Sequence, residues 1–150
     1  MPRIRIRPVG VVKALGEGGL SRIEVFEKYE PALLGMESFS HLWILYWMQE
    51  LPKGERNLLR IHPRGRLDLP LVGVFASRSR ARPNPIGLTL VELVERSGRE
   101  LIVKGLDALD GTPVIDIKPY VPRSDRALGA RVPDWARRLN AGRRRRGDGH

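Results

Sequence analysis

Residues 73–87 read Gly73-Val74-Phe75-Ala76-Ser77-Arg78-Ser79-Arg80-Ala81-Arg82-Pro83-Asn84-Pro85-Ile86-Gly87. Three Arg alternate with small residues, and two Pro hold the backbone extended. If the strand that enters this segment persists, alternation puts Arg78, Arg80 and Arg82 on one face, where guanidinium forks suit phosphate or carboxylate oxygens. The Pro-Asn-Pro corner makes Asn84 a rigid polar handle. The bland alternative is a solvated basic turn with Asn84 bonding its own backbone. Three Arg in five residues beside two prolines favour an oxyanion site over that turn.

A second constellation spans Leu106 to Tyr120, with Asp107, Asp110 and Asp116 inside Leu106-Asp107-Ala108-Leu109-Asp110-Gly111-Thr112-Pro113-Val114-Ile115-Asp116-Ile117-Lys118-Pro119-Tyr120. Asp110-Gly111 is a strong turn signal, and Asp107 and Asp110 either cap that turn or form the one negative island of a basic chain. Such an island suits a cationic ligand or a polarised N–H. The histidines are a third candidate. His41 lies in an apolar run and reads as a core residue with satisfied nitrogens. His62, in Ile61-His62-Pro63-Arg64-Gly65-Arg66, reads as a surface residue of a basic segment that touches a partner. Neither has the neighbours of a metal ligand.

The chain that positions these residues has 150 amino acids, 27 Lys plus Arg, 17 Asp plus Glu, three His, no Cys and a net charge of +10. One domain is the prior at this length, and about 70% of the unfolded surface can be buried without a staple. Absence of Cys excludes a disulfide framework, a Cys nucleophile and a thiolate metal site. The opening Met1-Pro2-Arg3-Ile4-Arg5 has no apolar signal-peptide core, and no stretch approaches a membrane span, so a soluble, cytoplasmic protein without metal or membrane partners is expected. The positive charge points to a polyanion. Half of it lies in residues 131–150, which carry seven Arg against Asp134 and Asp148, and Arg56 to Arg82 adds seven Arg against Asp68 alone. Residues 140–150 have almost nothing apolar to bury and are expected to be a disordered Arg-rich tail, read as a solubilising end ahead of a nucleic-acid arm. The domain is placed at residues 1–139.

The elements read mostly as strands: short apolar runs rich in Val, Ile and Leu, bounded by Gly, Pro, Asp or Ser. Ile4 to Ala14 and Ser21 to Glu27 alternate around a Gly-rich hairpin loop. That loop is no dinucleotide fingerprint, because no helix follows it. A helical turn fits Tyr29 to Met36. Phe39 to Leu51 is assigned as a buried strand, Val72 to Ser77 as a strand, Ile86 to Arg96 and Glu100 to Leu106 as a hairpin, and Pro113 to Tyr120 as a last strand. A short helix follows over residues 132–139. Close spacing without crossover helices predicts a mainly β protein, a single antiparallel β-barrel with a few short helices.

With these strings in view, the chain resembles the TsaA-like, or TrmO, family of S-adenosylmethionine-dependent tRNA methyltransferases. The likeness rests on Phe39-Ser40-His41-Leu42-Trp43-Ile44-Leu45, on Gly73 to Ser79 with Arg82 to Leu88, and on Asp107 to Tyr120. It covers roughly residues 7 to 122. It implies a β-barrel enzyme that forms homodimers, binds S-adenosyl-L-methionine and methylates N6 of threonylcarbamoyladenosine at tRNA position 37, beside the anticodon. Carried over by position, Gln49, Glu50, Arg78, Leu88 and Asp107, Ala108, Leu109, Asp110, Gly111 and Thr112 contact the cofactor. Arg80, Arg82, Asn84, His62 and Arg64 are the candidates for the RNA, and Asp110 or Tyr120, placed by Lys118, for accepting the N6 proton. Family members carry a longer loop after the first strand, with a Pro-Arg-Gln segment at the cofactor. Here only Lys13 to Leu20 spans that gap, which leaves an RNA-binding barrel without methyl transfer, or another methyl acceptor, as the alternative.

Overall fold

Alternation of apolar and polar side chains builds the wall of a closed barrel in this computed structural model, which describes residues 1–48 and 54–139. Six antiparallel strands close in the order β1-β2-β7-β6-β3-β8. They are β1 (Gly10–Ala14), β2 (Leu20–Val25), β3 (His41–Trp47), β6 (Ile86–Ser97), β7 (Glu100–Lys104) and β8 (Pro113–Pro119). Between β3 and β6, β4 (Arg60–Ile61) and β5 (Val72–Gly73) pair as a separate small ribbon. The expected antiparallel barrel is therefore the observed fold, and Phe39 to Leu51 does supply a strand.

The lumen is solid. Val12, Ile23, Leu42, Ile44, Leu101 and Val103 have no exposed surface, and they are the inward members of four strands. Burying a side chain of this size stabilises by about 1.5–3 kcal/mol, so the wall is held by its filling. With these side chains filling the barrel, a rim or the outer face is left for the candidate site.

Several boundaries differ from the sequence reading. The first strand begins at Gly10, not Ile4: Ile4 is 85% exposed, so the Arg-Ile alternation before it has no apolar surface to cover. The strand expected over Val72 to Ser77 stops after Gly73, where Val74–Ala76 tightens into a 3-10 turn. The turn expected over Tyr29 to Met36 is two 3-10 segments, Glu27–Leu33 and Met36–Ser38. Residues 134–139 are helical, as the 132–139 pattern predicts. Gln49 and Glu50, expected at the cofactor, and the Arg-rich tail over 140–150 lie outside the described residues.

His41 is a correction. It is exposed, because the strand's phase sends Leu42, Ile44 and Tyr46 inward and His41 outward. Its Nδ1 meets the Ser40 hydroxyl at 2.7 Å, and its ring stands 6.4 Å from that of Tyr120.

Gly10 shows how closely the wall is drawn. A Cβ there would stand 2.6 Å from the backbone carbonyl oxygen of Glu24 on β2, an atom that cannot swing aside. Gly10→Ala is expected to lower unfolding free energy by about 1–2 kcal/mol, read as a lower urea midpoint at an unchanged m-value.

Candidate functional site

Two of the three sequence constellations meet at one rim. In the barrel register Trp47, the end of β3, lies opposite Ile86, the start of β6, and Tyr46 opposite Val114 near the start of β8. Loop 77–85 therefore enters this rim and loop 105–112 leaves from it. The Met48 N–H donates to the Pro85 carbonyl at 2.7 Å and ties the first loop to β3.

Loop 105–112 is fixed from three sides. The Asp110 carboxylate accepts the Ala14 N–H at 2.9 Å, and the Gly111 N–H donates to the Val12 carbonyl at 2.8 Å, so β1 carries the turn. Gly111 has a φ of +83°, in the left-handed region that the Asp-Gly signal anticipates. Thr112 is buried, and its hydroxyl donates to the Leu109 carbonyl at 2.6 Å. It thus builds the turn with its hydroxyl and offers nothing polar outward.

The third support comes from Tyr46, which is 7% exposed. Its hydroxyl donates to the Asp107 carbonyl at 3.2 Å and lies 2.9 Å from the Thr89 hydroxyl, which is then the donor to the Tyr46 oxygen. The ring reaches that position by crossing Gly87, its register partner, where any Cβ would collide with the ring. The sequence reading assigned neither Tyr46 nor Gly87 to the site. The available signal was a Gly inside a long strand pattern, a mark of close approach. Leu88 lies on the outer face opposite Leu45 and is 43% exposed, an apolar shelf beside this rim.

The Arg loop is organised differently from expectation. It forms no strand, so Arg78, Arg80 and Arg82 do not share a face. Arg78 and Arg80 are exposed, with no ion pair or hydrogen bond among the described residues. Arg82 turns inward: Nη1 donates to the carbonyls of Ser77 (3.0 Å) and Ser79 (3.2 Å), and Nη2 to that of Val74 (3.1 Å). Arg56 grips the Pro83 carbonyl at 3.0 and 3.2 Å and lies 5.4 Å from the Trp47 ring centre, so it too serves the loop. Asn84 is exposed at the corner.

The remaining basic segment divides the same way. Arg66 forks onto Asp68 at 2.6 and 3.1 Å, and that hydrogen bond holds the Asp68 carboxyl below its ordinary value. Arg64 is exposed at a φ of 54°, beside Gly65 in a turn closed by the Gly65 N–H to the His62 carbonyl. His62 is half-buried rather than fully on the surface, and its Nδ1 donates to the Leu69 carbonyl at 2.9 Å.

Asp110, Lys118 and Tyr120 are not brought together within one chain. Asp110 precedes β8 and Tyr120 follows it, and seven strand residues separate them by about 20 Å. Tyr120 joins the opposite rim: its N–H donates to the His41 carbonyl, and its ring packs edge-on to Trp43 at 5.9 Å. Lys118 pairs with Asp116 at 3.2 Å, and the Asp116 carboxylate also accepts the Ile117 N–H. Among the described residues no three His, Asp or Glu are grouped to hold a metal ion, and no helix is long and apolar enough to cross a membrane.

Taken together, a solid-cored antiparallel barrel whose Asp loop and Arg loop share a rim defines a class of β-barrel with an external candidate site. Within that class, residues 13–126 match the tRNA-methyltransferase O N-terminal domain, and the chain belongs to that family. A probable S-adenosyl-L-methionine-binding protein of Methanothermobacter thermautotrophicus is 51% identical over 129 residues, which cover 78% of this chain and 90% of that protein. The mouse protein named tRNA (adenine(37)-N6)-methyltransferase is 40% identical over 80% of this chain, although the match spans only 27% of the mouse protein. The crystal structure of TrmO from P. aeruginosa superposes with a TM-score of 0.71 at 29% identity, over 97% of this chain and 75% of that one.

Proposed function

We propose that this protein is an S-adenosyl-L-methionine-dependent methyltransferase acting on N6 of adenosine 37 in tRNA, with threonylcarbamoyladenosine as the acceptor base. The observation that carries the reading is the meeting of the Asp107–Thr112 turn and the Arg78–Arg82 loop at one rim. A cationic donor and a polyanionic acceptor need adjacent surfaces of opposite sign, and the net charge of +10 hides that division.

The rim residues fit the cofactor. Asp107 and Asp110 are exposed acids beside backbone held in place by Tyr46, β1 and Thr112, and Leu88 supplies apolar surface for a heterocycle. When bound, S-adenosyl-L-methionine supplies an electrophilic methyl group on a sulfonium. Arg78 stands at the boundary between the cofactor and RNA sides, and Arg80, Arg64 and Asn84 face outward, where phosphate or the threonyl carboxylate is engaged. Arg82 contributes by shaping their loop. In-line methyl transfer depends on alignment, which a rigid rim supplies. The target N6 gives up one proton as its new bond forms. Asp110 is the acceptor assigned within this rim, since one carboxylate oxygen holds Ala14 and the other is left for the substrate. Tyr120 and Lys118 can reach only the rim of a second copy, so any part they take requires a homodimer.

The five-residue connection 15–19 between β1 and β2 is the observation behind a second reading, an RNA-binding barrel without cofactor. Calorimetry with S-adenosyl-L-methionine, followed by methylation of tRNA bearing threonylcarbamoyladenosine, separates them. Micromolar cofactor binding and a methylated nucleoside are expected; absence of cofactor binding in both free and tRNA-bound protein overturns the enzyme reading. Asp110→Asn is expected to slow turnover at least 10²-fold. If Asp110→Asn and Tyr120→Phe both turn over at the wild-type rate, the proton-acceptor assignment falls.

A further inference from the structure

Phe75 is 81% exposed, although the turn that carries it is held by several hydrogen bonds. The turn Val74–Ala76 is anchored by buried Val74, whose N–H donates to the Leu59 carbonyl at 2.9 Å. The Val74 carbonyl is gripped by three donors: the Ser77 N–H at 3.2 Å, the Ser77 hydroxyl at 2.8 Å and Arg82 Nη2 at 3.1 Å. Inward Val74 and outward Phe75 are thus fixed by the same contacts. The aromatic ring is displayed on a preorganised backbone.

Its surroundings decide what it is displayed to. Arg78 and Arg80 follow three and five residues later, both exposed and unpaired among the described residues, and exposed Arg60 stands on the ribbon strand paired with Gly73. A second copy of this surface would bring like charges together, which opposes self-association through it. A ligand that presents a flat π-face and fixed negative charges in one short length of polymer is a single-stranded nucleic acid.

We propose that Phe75 is a stacking platform for an unpaired nucleobase of the RNA loop, while Arg78 and Arg80 hold the phosphates on either side of that base. The inference rests on the reading of RNA as the methyl acceptor. It adds a subsite that binds a neighbouring base by its π-face, so that it tolerates base identity but requires an unstacked strand.

The test measures binding of a tRNA anticodon stem-loop at several salt concentrations. Phe75→Ala is expected to weaken affinity about 10- to 100-fold with the slope of log affinity against log salt unchanged, since stacking releases no counterions. Phe75→Tyr is expected to stay within about threefold of wild type, because it retains the π-face. Arg80→Ala is expected to lower both affinity and slope, the latter by about one unit. All three are expected to keep the wild-type melting temperature, oligomeric state and calorimetric affinity for S-adenosyl-L-methionine. Wild-type RNA affinity in Phe75→Ala overturns the stacking subsite and leaves the substrate reading standing. A flattened salt slope in Phe75→Ala, or loss of a dimer, also overturns it, by showing that the ring supports the Arg loop or a partner copy instead. A wild-type protein that fails to bind the stem-loop at all overturns the substrate reading and the subsite with it.

Discussion

Gly87→Ala is expected to destabilise the barrel by about 2–3 kcal/mol and to weaken S-adenosyl-L-methionine binding at least tenfold. A Cβ at this position would collide with the edge of the Tyr46 ring. Clashes of this kind are relieved cheaply when the obstructing side chain is free to swing, but Tyr46 is 7% exposed and its hydroxyl is held at Asp107 and Thr89. Two outcomes remain. Either the β3–β6 ladder opens where Tyr46 pairs with Gly87, or the ring leaves and releases the Asp107 carbonyl. Both loosen loop 105–112, and the first also lowers global stability. Urea unfolding with an unchanged m-value and calorimetry with the cofactor read the two effects separately. Tyr46→Phe is the informative partner, since it keeps the ring over Gly87 and removes only the hydroxyl bonds, for about 1 kcal/mol. Because both substitutions act through one hydroxyl, the double variant is expected to lose less cofactor affinity than the sum of the two. Additive losses would show that Gly87 supports the rim by some route other than Tyr46.

The same pair shows what could and could not be read from the chain in advance. Alternating Val, Ile and Leu with Gly and Asp punctuation were enough for an antiparallel barrel, because a strand's period survives in sequence without knowledge of its partners. Register does not survive. That Gly87 faces Tyr46 across β3 and β6 depends on which strands pair, and the two residues lie far apart in sequence. His41 illustrates a related loss. Leu42, Trp43, Ile44, Leu45, Tyr46 and Trp47 are apolar on both faces, so nothing in the run fixes which parity points inward, and the core position expected for His41 is in fact an outward one.

At the site, residue types were legible and their roles were not. Asp110 and Gly111 form the turn that their dipeptide announces, yet the carboxylate's bond to Ala14 joins residues 96 apart. Lys118, Tyr120 and Asp110 lie within eleven consecutive residues, but a strand of seven carries the first two to the opposite rim. Proximity in sequence is a poor guide to proximity in space wherever a full strand intervenes, since each strand residue adds about 3.3 Å.

Arg82→Ala is expected to reduce methyl transfer at least 10²-fold and to lower the melting temperature by about 5–10 °C, a signature distinct from that of Arg80→Ala. The alternation Arg78-Ser-Arg80-Ala-Arg82 gives the three Arg equal standing as phosphate ligands, and the structure separates them by direction. Arg82 donates to three main-chain carbonyls, two of them from Nη1 and one from Nη2, spread over Val74, Ser77 and Ser79. With the guanidinium gone, these carbonyls face a half-buried space with fewer donors. A lost hydrogen bond to a charged group costs about 1.5–3 kcal/mol, of which water entering the loop recovers part. Arg82→Lys is expected to behave nearly as badly, because an ammonium is a compact charge and lacks the planar fork that spans carbonyls on three residues. Arg80→Ala removes a solvated charge and leaves the melting temperature where it was. Thermal melts read alongside the salt dependence of tRNA binding then sort the loop: Arg80 changes RNA affinity and its salt slope without touching stability, whereas Arg82 changes stability and turnover together. If Arg82→Ala melts like the wild type and flattens the salt slope by about one unit, its guanidinium serves phosphate in the complex and the inward bonds are those of the free protein only.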